Sequence, residues 1–190
     1  MGTNLFEGKL VHLTAEEPET MAKAFTAWAA NSEYLRLLDS GAARQFSAKK
    51  WKEWLEKDLE KEPPSFYGFA LRTLDEQGRL IGFIGLEGNF FPHGEAFVGI
   101  GIGERQDWKN GYGTDAMQVI LRYAFMELNL RRVTLNVFEY NPRAIRSYEK
   151  AGFRHEGRIR QYLNRDGQRW DILYMGILRE EWMEQQGERE

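Results

Sequence analysis

The sequence has no cysteine among its 190 residues, and it has only five prolines and three histidines. The lack of cysteine excludes a disulfide framework, a thiolate nucleophile and a cysteine-ligated zinc. The histidines, His12, His93 and His155, lie far apart in sequence without metal-ligand spacing, so we expect no metal site. No apolar run approaches the ~18 residues of a membrane-spanning helix, and the N-terminus lacks a signal-peptide core. We therefore expect a cytoplasmic protein without a membrane partner.

The sequence also lacks a large excess of either positive or negative charge. The chain has 26 Lys and Arg residues against 29 Asp and Glu residues, which gives a formal net charge of −3. A general nucleic-acid binder would usually be basic, so we expect no nucleic-acid partner. The length suits one domain, and an apolar content of 42% suits a globular chain with its own core.

The first third of the chain has the patterns of one strand and two helices. We predict a strand at 9–14, helices at 18–30 and 48–61, and an irregular segment at 31–43. Thr14 and Glu17 have the spacing of a capping box for the first helix. Ser47 is a typical N-cap for the second helix.

The rest of the chain alternates between strand and helix patterns. We predict strands at 66–73, 80–86, 96–102, 132–138, 153–163 and 169–178, and helices at 114–128 and 141–151. This order mixes hairpins with crossover helices, which is typical of an α+β fold with one central mixed sheet. We expect one domain over residues 8–178 and a charged, helical tail over residues 179–190.

Residues 97–113 (FVGIGIGERQDWKNGYG) run from a strand through a Gly-bearing loop to the start of a helix. The free N–H groups and the dipole of a helix N-terminus favour an anion, and Gly111 and Gly113 allow its close approach. This pattern predicts a pyrophosphate site, with an ordinary loop as the alternative. Gly111-x-Gly113-x-x-Ala116 also fits a dinucleotide fingerprint, with Glu139 after the next strand. That fingerprint should follow its strand directly, whereas here a loop of seven residues intervenes.

Two segments resemble the GNAT acetyltransferase superfamily. Residues 108–114 (WKNGYGT) resemble its acetyl-CoA loop, whose usual form is Gln/Arg-x-x-Gly-x-Gly/Ala. Residues 141–153 (NPRAIRSYEKAGF) resemble its Asn-x-x-Ala-x-x-x-Tyr-Glu-Lys-x-Gly-Phe element. Residues 156–175 look like the branch related to the ribosomal-protein N-terminal (alanine) acetyltransferases. The resemblance implies a mixed, mostly antiparallel sheet of about seven strands, flanked by helices and splayed between the fourth and fifth strands.

The resemblance implies an N-acetyltransferase that moves an acetyl group from acetyl-CoA to a primary amine by direct attack in a ternary complex. Tyr148 is the implied acid, because a phenol with a pKa of ~10 stays protonated at neutral pH and can supply a proton to the departing thiolate. A core role is the alternative for Tyr148. The implied cofactor-binding residues are Ile100, Gly101, Ile102, Trp108, Lys109, Asn110, Gly111, Tyr112, Gly113, Thr114, Asn136 and Asn141.

The sequence departs from the family pattern at two positions. Trp108 stands where the acetyl-CoA loop usually has Gln or Arg, so a side-chain contact there is in question. Asn136 stands where several similar proteins have a glutamate that serves as base. Among the remaining carboxylates we rank Glu87 first as the base, ahead of Glu95 and Glu139, with solvated loop carboxylates or a water chain as alternatives.

The acceptor amine, of a small molecule or of a protein N-terminus, should bind between the early helices and the late hairpin. The aromatic residues of those regions are Trp28, Tyr34, Trp51, Trp54, Phe90, Phe91, Tyr162 and Trp170. A non-catalytic acyl-CoA sensor of the same fold and a dinucleotide-binding protein are the alternative functions. We expect a monomer or a homodimer.

Overall fold

A computed structural model of the protein describes residues 4–60, 65–88 and 93–187. Its strands are β1 (Val11–Thr14), β2 (Phe66–Thr73), β3 (Leu80–Glu87), β4 (Glu95–Ile102), β5 (Arg132–Phe138), β6 (Arg154–Arg165) and β7 (Gln168–Leu178). Its α-helices are α1 (Pro18–Trp28), α2 (Ser32–Leu38), α3 (Ala48–Leu59), α4 (Tyr112–Arg122), α5 (Pro142–Ala151) and α6 (Arg179–Gly187). A 3₁₀ turn at Arg105–Asp107 precedes α4, and a π-helical turn at Tyr123–Glu127 extends it.

The seven strands form one sheet in the order β1-β2-β3-β4-β5-β7-β6. All neighbouring strands are antiparallel except β4 and β5, which are parallel. These two strands pair only where Glu95, Ala96 and Phe97 meet the first three residues of β5, and they separate beyond that point. The mixed, mostly antiparallel α+β sheet and its splay between the fourth and fifth strands are therefore confirmed.

Each face of the sheet packs against its own set of helices, because successive side chains of a strand point to opposite faces. On one face, Ile120 of α4 is fully buried in a cluster with Val98 of β4 and Leu135 of β5. On the other face, Trp28 of α1 lies in a second buried cluster with Ala70 of β2. Each large apolar side chain buried in this way contributes about 1.5–3 kcal/mol.

Helix α2 corrects the prediction that residues 31–43 are irregular. Asn31 caps the helix, since its side chain accepts a hydrogen bond from the Glu33 N–H at 3.0 Å. The helix has only seven residues, which is too short to be stable alone. It is stabilised by tertiary packing, because Tyr34 is buried against α1.

The predicted capping box at the start of α1 is wrong. The Thr14 hydroxyl donates to the Glu16 carboxylate at 3.5 Å and caps no helix. Glu17 occupies the N-cap without a side-chain bond, and Pro18 begins the helix at a position where its missing N–H is no loss. The predicted N-cap at Ser47 is confirmed, since its hydroxyl accepts from the Lys50 N–H at 3.3 Å.

The C-terminal helix α6 packs against the core at one residue. Trp182 is 7% exposed, and its ring centroid lies 5.5 Å from that of Phe125 in the π-helical turn. Met183, by contrast, is exposed. In the part of the chain that the structure describes, no helix has the length and apolar character needed to cross a membrane.

Candidate active site

A cavity of about 310 Å³ opens where β4 has separated from β5. Its walls come from the end of β4, the loop before α4, the first turn of α4, helix α5 and helix α2. Segments far apart in sequence therefore meet at the splay of the sheet. This is the position at which an open α/β sheet offers unpaired backbone and helix N-termini to a ligand.

The N-terminus of α4 presents free backbone donors to this cavity. Gly111 is the N-cap and has a φ of 87°, a conformation that favours glycine. The Asp115 N–H makes the first helical bond, to the Gly111 carbonyl at 3.0 Å. The N–H groups of Tyr112, Gly113 and Thr114 therefore precede the helical hydrogen bonds and can bind an anion.

Two contacts hold the first turn of α4 in place. The buried Asp115 carboxylate accepts hydrogen bonds from the backbone N–H of Leu10 at 2.8 Å and of Val11 at 3.0 Å. The Thr114 and Ser147 hydroxyls are hydrogen-bonded at 2.8 Å, which joins α4 to α5. The anion-binding turn is thus fixed to β1 on one side and to α5 on the other.

The backbone of β4 is partly free along the cavity. The Gly103 N–H donates to the Ile81 carbonyl at 2.9 Å, so the odd-numbered residues of β4 bond to β3. The even-numbered residues Ile100 and Ile102 must then direct their N–H and C=O groups towards β5, which does not pair with them. This stretch of β4 can form hydrogen bonds with an extended ligand.

Trp108 has two contacts that explain its place in the loop. Its indole N–H donates to the Ile102 carbonyl at 2.8 Å, which fixes the end of β4. The Arg143 guanidinium lies 3.9 Å from the centroid of the Trp108 ring. Stacking of this kind contributes about 0.5–2 kcal/mol, depending on burial. Burial lowers the pKa of Arg143 from its usual value, and the charge of Glu33 opposes this shift.

The side chains around the cavity favour an anionic ligand. Lys109, Arg143, Arg146 and Lys150 line it. Asp107 is the only carboxylate among the described lining residues, and it is ion-paired with Arg79 at 2.9 Å. An unneutralised group of cations around a concave site attracts negative charge.

Tyr148 projects from α5 and lines the same cavity. It is half-buried, and its ring centroid lies 6.2 Å from that of Phe153. Burial raises the pKa of Tyr148 to about 12, while the charge of Arg143 acts in the opposite direction. The phenol is therefore protonated at neutral pH and can donate a proton.

The structure brings most of the predicted site residues together. Those that line the cavity are Ile100, Gly101, Ile102, Trp108, Lys109, Gly111, Tyr112, Gly113, Thr114, Asn141 and Tyr148. The Asn141 side chain also caps α5, because it accepts from the Ala144 N–H at 3.2 Å.

Three predicted residues lie outside the cavity lining. The Asn110 amide donates to the Gln106 carbonyl at 3.0 Å. Asn136 lies in β5, opposite Tyr174 of β7. Glu87 is exposed at the C-terminal end of β3. It lies about 17 Å along the strand from Gly82, the residue that pairs with Ile102 at the cavity.

The other two candidate bases are engaged elsewhere. Glu95 accepts a hydrogen bond from Arg132 at 3.4 Å. Glu139 accepts from the Asp171 N–H at 3.2 Å. Among residues 4–60, 65–88 and 93–187, no group of three or more His, Cys, Asp or Glu side chains is placed to hold a metal ion.

Of the predicted aromatic residues of the acceptor side, Tyr34 lines the first cavity, whereas the other described ones are dispersed. Trp28 is buried in the core, Trp51 and Trp54 pack with Phe46 beside α3, and Tyr162 is exposed on β6. Phe90 and Phe91 lie outside the described residues. Trp170 lines a second cavity of about 320 Å³, between α2 and the β6–β7 turn. Leu37 lines both cavities, so the two are neighbours.

Sequence reasoning named Tyr34 as an acceptor-side aromatic residue, but it missed helix α2 and the contribution of Leu37 and Leu38 to the first cavity. The available signal was the cap sequence Asn31-Ser32-Glu33 followed by apolar residues. It also missed Ser147 as the side chain that joins α5 to α4.

Comparison with known proteins identifies the family. The profile of the Acetyltransferase (GNAT) domain matches residues 10–154. The "SPbeta prophage-derived uncharacterized N-acetyltransferase YokL" of Bacillus subtilis is 28% identical over 182 residues, which cover 96% of this chain and 97% of that protein. The "Putative ribosomal N-acetyltransferase YdaF" of the same organism is 29% identical over 136 residues, which cover 72% and 73% of the two chains.

Solved structures share the fold. The spermidine N-acetyltransferase of Vibrio cholerae, crystallised with CoA and spermine, superposes with a TM-score of 0.80 at 23% identity, covering 91% of this chain and 98% of that one. A GNAT-family acetyltransferase of Bacillus anthracis gives a TM-score of 0.74 at 20% identity, covering 92% and 98%. The chain therefore belongs to the GNAT acetyltransferase family, and it is an enzyme of the acyltransferase class.

Proposed function

We propose that this enzyme transfers an acetyl group from acetyl-CoA to a primary amine by direct attack in a ternary complex. The observation that carries the proposal is the cavity at the splay of β4 and β5. It joins the open N-terminus of α4, the unpaired backbone of Ile100 and the protonated phenol of Tyr148. These are the three parts that a thioester donor with a pyrophosphate needs.

Each part of the donor has a matching part of the cavity. The pyrophosphate binds the N–H groups of Tyr112, Gly113 and Thr114, and Lys109 adds positive charge. The pantetheine amides pair with the free N–H and C=O groups of Ile100 and with the N–H of Ile102, whose carbonyl already accepts from Trp108. Arg143, held by its contact with Trp108, supplies the cation that the loop lacks at the usual Gln or Arg position.

The reaction needs one proton transfer from the protein. The neutral amine attacks the thioester carbonyl, the new C–N bond forms, and the C–S bond breaks. The departing thiolate takes the proton of Tyr148, the attacking nitrogen loses a proton to water, and Tyr148 regains a proton from solvent.

The amine must therefore arrive neutral. The described lining residues provide no unpaired carboxylate to accept its proton. An α-amine with a pKa of ~8 is neutral more often than a lysine-like amine with a pKa of ~10. This difference favours acceptors of low amine pKa, whether small molecules or protein N-termini.

The second cavity is the entrance for the acceptor in this proposal. It adjoins the first cavity, at the splay of β4 and β5, which we call the donor cavity. Leu37 lines both cavities, and Trp170 and Tyr140 line the second. The names of two relatives supply the acceptors to test first, which are spermidine and the N-terminal peptide of a ribosomal protein.

The first experiment combines thermal denaturation with an assay for thiol release. Acetyl-CoA at ~100 times its Kd should add about 2.7 kcal/mol and raise the Tm by several degrees, whereas NAD should have no effect. Thiol release is then measured with spermidine and with an N-terminal peptide. A Tm shift without release from any amine favours the acyl-CoA sensor, and a shift with NAD alone favours the dinucleotide-binding function.

A further inference from the structure

The Tyr34 side chain has no role in the reaction proposed above, although it lines the same cavity. It projects from α2 and packs against Trp28, with ring centroids 6.3 Å apart. It is only 5% exposed, yet it lines the same cavity as Ile100 and Tyr148. Tyr34 therefore joins Tyr112 and Tyr148 among the residues that line the cavity where β4 separates from β5.

The hydroxyl of this tyrosine is buried without a hydrogen-bond partner among the described residues. A buried hydroxyl left in this state lowers stability, and folded proteins satisfy most such groups. On another side of α2, the Tyr140 hydroxyl donates to the Arg36 carbonyl at 2.6 Å. The fold thus satisfies one hydroxyl at this helix and leaves the hydroxyl of Tyr34, a residue that lines the cavity, without a partner.

The position of the hydroxyl points to its ligand. A Cβ added at Gly101 would lie 3.0 Å from Tyr34 Oη, so the oxygen rests against the bare backbone of β4. Gly101 follows Ile100, whose backbone is free to bind the acyl-pantetheine arm. Burial raises the pKa of Tyr34 above its usual value, so the group stays a hydrogen-bond donor at neutral pH.

We propose that the Tyr34 hydroxyl donates its hydrogen bond to the carbonyl oxygen of the acyl thioester. This inference rests on the proposed binding of acetyl-CoA in the cavity. When the amine attacks, the carbonyl π electrons move to the oxygen, and they return as the C–S bond breaks. A donor aimed at this oxygen binds it most strongly while it is negative. Tyr34 keeps its proton throughout and stabilises the negative oxygen by a hydrogen bond. Tyr148 gives its proton to the departing sulfur.

The test compares two ligands that differ only in the acyl group. Wild-type protein and the Tyr34→Phe variant are titrated calorimetrically with acetyl-CoA and with CoA. The variant should bind acetyl-CoA about 2- to 10-fold more weakly, and it should bind CoA unchanged. Tyr123→Phe is the matched control, since this buried tyrosine packs on Phe69 and does not line the cavity.

Two further readouts separate this role from a structural one. The Tm of the free Tyr34→Phe protein should be equal to or above that of the wild type, because the change removes an unpaired hydroxyl. With an amine that the wild type acetylates, kcat should fall about 100-fold. Equal weakening of CoA and acetyl-CoA, a lowered Tm of the free protein, or an unchanged kcat would overturn the inference. A wild type that binds neither ligand would instead overturn the proposed function on which the inference rests.

Discussion

The two cavities beside α2, the donor cavity and the second cavity, are built differently. The donor cavity offers backbone groups to a ligand, in the first turn of α4 and along the free stretch of β4. The second cavity depends on side chains that connect distant segments. Tyr140 and Arg165 both donate to the Arg36 carbonyl, at 2.6 and 2.8 Å, and Arg165 also reaches the Asp39 carbonyl at 2.5 Å.

This difference explains how the loop before α4 can have Trp108 in place of the usual Gln or Arg and still bind the donor. A site made of N–H groups should tolerate Trp108, because such a site binds an anion through its backbone donors. The second cavity is formed by side chains, so each substitution of a lining residue changes its shape. Acceptor choice should therefore vary among relatives while the donor site stays the same.

The largest expected effect tests the acid of the donor cavity. Tyr148→Phe removes the proton donor for the thiolate, so kcat should fall about 100-fold or more. The affinity for acetyl-CoA should stay the same, because the ring remains in place. Initial rates of thiol release measure the first quantity, and equilibrium titration measures the second. Unchanged turnover would remove Tyr148 from this role.

The pH dependence of turnover comes next in size. Below the pKa of the acceptor amine, kcat/KM should rise about tenfold per pH unit, because only the neutral amine attacks. Burial raises the pKa of Tyr148 to about 12, so the acid stays protonated and no falling limb should occur below pH 10. A decline in the rate between pH 8 and pH 10, in protein that remains folded, would contradict this assignment.

A smaller effect, on the affinity for acetyl-CoA, is expected when Arg143, the cation beside Trp108, is removed. Arg143→Ala should weaken acetyl-CoA binding about 5- to 10-fold, because one charge-assisted contact to phosphate is lost. The loss should shrink at high salt, where such contacts are screened. Arg105→Ala is the control, since Arg105 is 75% exposed and pairs with Glu33 outside the cavity lining. Equal losses in both variants would indicate only a long-range charge effect.

The smallest effect concerns the acceptor side. Tyr140→Phe removes one hydrogen bond to the Arg36 carbonyl, which should lower the free energy of unfolding by about 1 kcal/mol. The KM for the amine should rise, and acetyl-CoA affinity should not change. Denaturant unfolding and steady-state kinetics measure the two effects. A change in acetyl-CoA affinity would show that the two cavities do not act separately.

The elements with strong local patterns were predictable from the sequence. β2 and β5 have the predicted bounds, because alternation and apolar character define strands locally. The start of a helix at the glycine loop was predictable because glycine and helix-start signals lie next to each other in sequence. The helix predicted from residue 114 begins at Tyr112, since Gly111 rather than a later residue serves as its N-cap.

Features that depend on packing were not predictable in this way. Helix α2 has too few turns to show a periodic pattern, and the burial of Tyr34 stabilises it. Glu87 was ranked as a base from its place at a strand end. Only the register of β3 with β4 shows that this end points away from the cavity. The stacking of Arg143 on Trp108 joins two segments that no local pattern connects.

The most direct test of the account is a calorimetric titration with acetyl-CoA of the wild type and of two glycine variants. Gly111→Ala and Gly167→Ala both force alanine into a positive φ, of 87° and 72° respectively, at a cost of about 1–2 kcal/mol. Gly167 lies in the β6–β7 turn with open space around it, whereas Gly111 begins the anion-binding turn of α4. The wild type and Gly167→Ala should bind acetyl-CoA, and Gly111→Ala should bind it at least tenfold more weakly. Equal affinities in all three proteins, or no binding by the wild type, would contradict an acetyl-CoA site at the first turn of α4.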